Sequence, residues 1–71
     1  MERLLRYSVE HDRLIRLMLL QEGKLAQVNA RVLAYDGEKV EYVTTRSPRT
    51  QTALRADILA VAFRKGDDGQ L

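Results

Sequence analysis

"RLIRLMLL", residues 13–20, is the stretch whose reading decides the fold. As a helix it would prolong the amphipathic segment before it. The apolar stripe would then run Leu4, Ser8, His11, Ile15, Met18, and His11-Asp12 would interrupt both candidate faces. With a period of two, the same residues place Ile15, Leu17 and Leu19 on one face and Leu14, Arg16, Met18 and Leu20 on the other. The second reading predicts a helix over about 2–10, bearing Leu4, Leu5 and Val9, followed by a strand over about 13–20.

Working outward, Glu22-Gly23 makes a tight reversal into a second strand over about 25–35. There Ala26, Val28, Ala30, Val32 and Ala34 alternate with Leu25, Gln27, Asn29, Arg31, Leu33 and Tyr35. Asp36-Gly37 is the strongest local signal, because a type I′ hairpin needs positive φ at both central residues. A third strand follows over about 38–45, with Val40, Tyr42 and Thr44 on one face, until Pro48 ends it for want of an N–H. Shorter strands at about 50–54 and 58–64 flank a polar turn, "RAD". Residues 1–65 thus form one domain and 66–71, "GDDGQL", a flexible tail.

One helix and five short strands are too few for a sandwich. The chain is predicted to be mainly β, a small five-stranded Sm-like barrel whose open end the helix plugs with Leu4, Leu5 and Val9, closure being one way to remove exposed sheet edges. The segments "SVEHDRLIRLML" and "RADILAVAF" carry a resemblance to the WYL domain, a bacterial relative of the Sm-like small barrels. Val40-Glu41-Tyr42 stands where that family shows its tryptophan-tyrosine-leucine signature, and Leu19 where an aromatic is common. The resemblance implies a regulatory module that senses nucleic acid or another ligand, with Arg49 at a basic, ligand-facing position.

The bulk composition narrows the classes. The 71 residues carry a net charge of +2 and no cysteine, which points to a reducing cytoplasm and leaves no thiolate chemistry. Leu17–Leu20 is far shorter than the ~20 apolar residues of a membrane span. His11, the single histidine, sits between Glu10 and Asp12 at a helix end and has no second histidine or cysteine to complete a catalytic pair. "GDDG" at 66–69 supplies two carboxylates, too few for a calcium loop. No enzyme activity, cofactor or metal is expected.

Two functions remain. Residues 44–55, "TTRSPRTQTALR", hold three arginines and no acid, whereas residues 1–43 balance seven cations with seven anions. Arg46, Arg49 and Arg55, with Arg31 from the neighbouring strand, are the candidate site for single-stranded nucleic acid or another anionic ligand, and Tyr35 or Tyr42 would offer stacking faces. The alternative is a structural domain acting through homo-oligomerisation. Leu14, Met18, Leu20, Leu33 and Tyr35, with Val43, lie opposite the inward alternation and need a cover, either the helix or a second subunit.

Overall fold

The computed structural model describes residues 2–64; the tail expected at 66–71 lies outside them. A helix α1 (Glu2–His11) leads into β1 (Leu14–Gln21), β2 (Lys24–Tyr35), β3 (Lys39–Thr44) and β4 (Ser47–Leu54), then a 3-10 turn (Arg55–Asp57) and β5 (Ile58–Phe63). All pairings are antiparallel. The decisive stretch is extended: Ile15, Leu17 and Leu19 are buried, while Leu14, Arg16 and Met18 on the other face are half-buried. Burying such an aliphatic side chain contributes about 1.5–3 kcal/mol each.

The strand order is β4-β3-β2-β1-β5. The expected helix and five strands are present, but no pairing of β4 with β5 closes a barrel: the sheet is open and these two strands are its edges. It nevertheless curls around a single core, since Ile15, Leu17 and Leu19 from β1 meet Ala30 and Val32, Val40 and Tyr42, Ala53 and Ile58 from the other four strands. Leu5 of α1 joins the same cluster.

Helix α1 ends through its own backbone. Asp12 has φ 56°, and the Arg13 N–H donates to the Ser8 carbonyl at 3.2 Å, the six-residue closure of a helix C-terminus with a left-handed residue just past its end. His11-Asp12 is therefore the break, one residue later than expected. The face buried by the helix also differs. Leu5 and Ser8 are buried and Leu4 and Tyr7 pack against the core, whereas Val9 is 38 % exposed.

Ser8 has no accessible surface. Its hydroxyl donates to the Arg13 carbonyl at 2.6 Å and accepts from the Val32 N–H at 2.9 Å. The β1–β2 ladder begins at Leu14 opposite Arg31 and goes no further toward Val32, so the hydroxyl stands where a strand partner is missing.

Of the two tight turns expected, Glu22-Gly23 forms and Asp36-Gly37 does not. Glu22 (φ 53°) and Gly23 (φ 77°) take the paired left-handed conformation of a two-residue hairpin between Gln21 and Lys24. Asp36-Gly37 does not, because Gly37 lacks positive φ. Instead the Asp36 carboxylate accepts the N–H groups of Glu38 (2.7 Å) and Lys39 (2.9 Å), and Asp36 N–H donates to the Lys39 carbonyl (3.0 Å), which closes a longer loop. Pro48 likewise does not stand outside the sheet. It lies in β4, an edge strand, within the irregular stretch where Thr44 pairs with Ser47 but Tyr42 with Gln51.

Two stability predictions follow from these contacts. Ser8→Ala leaves the buried Val32 N–H unpartnered and lowers unfolding free energy by about 1–3 kcal/mol, read from the denaturant midpoint. Glu22→Gly removes a side chain from a left-handed position and raises stability by about 1 kcal/mol in the same assay.

Candidate anion-binding site

The four arginines singled out from the sequence do not converge. Arg31 projects from β2 toward the helix end and pairs with Asp12, with Nη1 3.3 Å from Oδ1; its Nε is buried without a partner. Arg55 donates through Nη1 to the Asp36 carbonyl at 2.8 Å and lies 3.4 Å from Glu2 Oε1. Arg46 occupies the turn between Thr44 and Ser47, at the opposite end of the β3–β4 hairpin from Arg55, which follows the Lys39–Leu54 pair. Arg49 lies in β4, its backbone N–H held by Ser47 Oγ at 3.2 Å. The side chains of Arg46 and Arg49 make no ion pair or hydrogen bond among the described residues.

A different basic cluster forms on the outer face. Arg16 of β1 is in register with Asn29 of β2 on one side and Ala62 of β5 on the other. With Gln27, Val28, Asn29 and Arg64 it lines a cleft of about 470 Å³. A second cleft of about 190 Å³ shares Gln27, Val28 and Asn29 and is completed by Thr44, Thr45 and Arg46. The Thr45 N–H lies 3.4 Å from the Asn29 carbonyl, which keeps this turn beside β2. The result is a polar strip from the β3–β4 turn to the end of β5, with guanidinium groups at both ends and in the middle, amides between them and no acid in its lining. Guanidinium forks and side-chain amides suit phosphate or carboxylate oxygens.

Sequence reading missed Arg16 because alternation grouped it with Leu14, Met18 and Leu20. Only the register sets it beside Asn29. Arg64 stood at the edge of the tail, and the amides Gln27 and Asn29 read as ordinary outward positions of β2.

The other residues singled out divide as follows. Tyr42 is a core side chain, 1 % exposed, whose hydroxyl meets Gln21 Nε2 at 3.5 Å, so its ring offers no stacking face. The register of β2 against β3 shifts between Val32 and Ala34, a bulge at Leu33 that turns Tyr35 back to pack on the core and leaves Ala34 exposed. Tyr35 therefore leaves the outward set it was placed in with Leu33. Leu14, Met18 and Val43 are half-buried, while Leu20 and Leu33 remain exposed. A further groove of about 710 Å³ opens at the β1–β2 hairpin end between Leu19, Leu25, Tyr42, Ala53, Leu54 and Asp57.

Among the described residues, no three acidic, histidine or cysteine side chains are grouped to hold a metal, and no helix is long and apolar enough to cross a membrane. His11 is exposed, its ring 5.5 Å from that of Tyr7. Comparison of the chain with protein-family models, with curated proteins and with solved structures gave no match. The site is therefore read from its own chemistry.

Among the described residues, the Asp36 loop marks out a titration. The N–H groups of Glu38 and then Lys39 hold its carboxyl below the usual aspartate value, with smaller help from the charges of Lys39 and Arg55. A depressed folded-state pKa gives stability that is present above the unfolded value, about 3.9, and lost as pH falls through the folded value. Thermal scans from pH 6 downward, the starting pH being a rough choice well above that value, are expected to show a loss of stability below the unfolded pKa that is smaller in Asp36→Asn.

Proposed function

We propose that the protein is a small non-catalytic binding module for a phosphate-bearing anion, single-stranded nucleic acid being the polymeric ligand of that chemistry. The observation that carries this reading is the acid-free strip in which Arg16, Arg46 and Arg64 flank Gln27 and Asn29 across four strands. Arg46 belongs to the basic run read from the sequence. Arg31 and Arg55 are placed outside the site, because each is already committed to an acid or a carbonyl. Arg49 stays as an accessory cation on the neighbouring edge strand.

A regulatory role and the Sm-like, WYL-related identity are part of the same proposal. What supports them is chain order: a helix first, then five strands, with a 3-10 turn joining the two edge strands. With Tyr42 in the core and Tyr35 packed against it, affinity would come from phosphate contacts more than from base stacking. Such binding weakens steeply with salt, because each neutralised phosphate releases counterions.

The test is a titration of a labelled single-stranded oligonucleotide between about 50 and 200 mM salt, the range over which phosphate-driven affinity changes most usefully. Arg16→Ala and Arg46→Ala should each weaken binding and make the salt slope shallower by about one, whereas Arg31→Ala and Arg55→Ala should leave the slope unchanged. Parent protein with no salt-sensitive affinity for oligonucleotide or for inorganic polyphosphate would sink the proposal.

A further inference from the structure

The two edges of the open sheet are unlike. β4 carries the features that discourage pairing with another chain: Pro48 without an N–H, the exposed charge of Arg49, and the irregular register around them. β5, "ILAVAF", has a bulge of its own at Leu59 but neither proline nor charge along its length. Leu59, Ala60 and Ala62 are exposed, Leu59 at 54 %, and no charged residue lies between Asp57 and Arg64. An uncharged apolar edge of this kind is a template for another strand.

We infer that β5 pairs antiparallel with β5 of a second copy, about a two-fold axis at Val61. The charges and the pleat both select this register. In the β1–β5 ladder, Phe63, Val61 and Ile58 face Ile15, Leu17 and Leu19, and Ala62 and Ala60 face Arg16 and Met18, with Leu59 left over as a bulge. Because the bulge absorbs one residue, Ile58, Val61 and Phe63 share the core face while Ala60 and Ala62 share the other.

Two copies related by a two-fold axis normal to the sheet must pair residues of the same face. With the axis at Val61, Phe63 meets the partner's Ile58 and Ala62 meets the partner's Ala60. Asp57, just before the strand, then faces the partner's Arg64, just after it, and the same pair recurs at the other end. Without the bulge this charge register would place core-face residues against outward ones. The inference rests on the edge strand and shares only Arg64 with the proposed anion site. Arg64 borders both places, so the anion test uses Arg16 and Arg46 and the assembly test uses Asp57, Val61 and Arg64.

Sedimentation equilibrium of the full chain should give a dimer. Arg64→Asp sets like charges together at both ends and should weaken it by about two- to thirtyfold, going by the usual worth of two exposed pairs. Asp57→Arg combined with Arg64→Asp should restore it. Val61→Cys, the only thiol in a chain that has no cysteine, sits on the axis and should oxidise to a covalent dimer, since facing α-carbons at about 4.5–5.5 Å lie within disulfide reach. Cysteine at Arg49 on β4 should not cross-link. Should Asp57→Arg fail to fold by circular dichroism, the Val61→Cys arm decides alone. A strict monomer at high concentration, assemblies larger than a dimer, or a folded charge swap that fails to restore association would each overturn the inference.

Discussion

The Ser8 hydroxyl ties the helix to the sheet. Burying a hydroxyl without partners costs several kcal/mol, so a serine with no accessible surface is tolerated only because both its donor and its acceptor are used. One bond holds the Arg13 carbonyl, where the chain leaves the helix and turns extended. The other holds the Val32 N–H, where β2 has outrun its pairing with β1. The same side chain therefore fixes where α1 ends, where β1 starts and how α1 lies on β2. Leu5, one turn earlier on the same face, reaches the core through that placement.

From this follows the distribution of chemistry over the two faces. The inner face is filled by aliphatic residues and Tyr42, leaving the outer face of β1 and β2 to carry Arg16, Gln27 and Asn29. Two other arginines are drawn into structure. Arg31 answers Asp12 at the helix end, and Arg55 holds the Asp36 loop and the first turn of α1. Exposed ion pairs of this kind contribute little to stability, but they remove those cations from any ligand site. The basic run of the sequence is thus divided between scaffold and site.

Much of the scaffold was legible in local pattern. Period-two alternation in 13–20 gave the three core residues of β1, and His11-Asp12 marked the end of the helix. The misreadings have identifiable causes. Asp-Gly favours a type I′ turn, yet the Asp36 carboxylate gains two backbone N–H bonds in a longer loop. The Glu22-Gly23 reversal, by contrast, was read correctly, Glu22 accepting a left-handed conformation because the flanking strands pair from Gln21 and Lys24 onward. Proline was treated as a strand terminator although an edge strand accommodates it.

The candidate site was legible only in part, since Arg46 was named but Arg16, Gln27, Asn29 and Arg64 were not. No spacing along the chain brings 16, 27–29, 46 and 64 together; antiparallel register does. A bulge moves every later residue to the opposite face, so the fate of Tyr35 and the pairing geometry of β5 were also beyond a one-dimensional reading. By itself the sequence determined which segments are helical or extended and which residues of each are apolar, because these depend on propensity and periodicity within a few residues. Only the tertiary structure decided which edges stay open, which arginines are neutralised and which stand together, because those depend on register and bulges set by contacts distant in the chain.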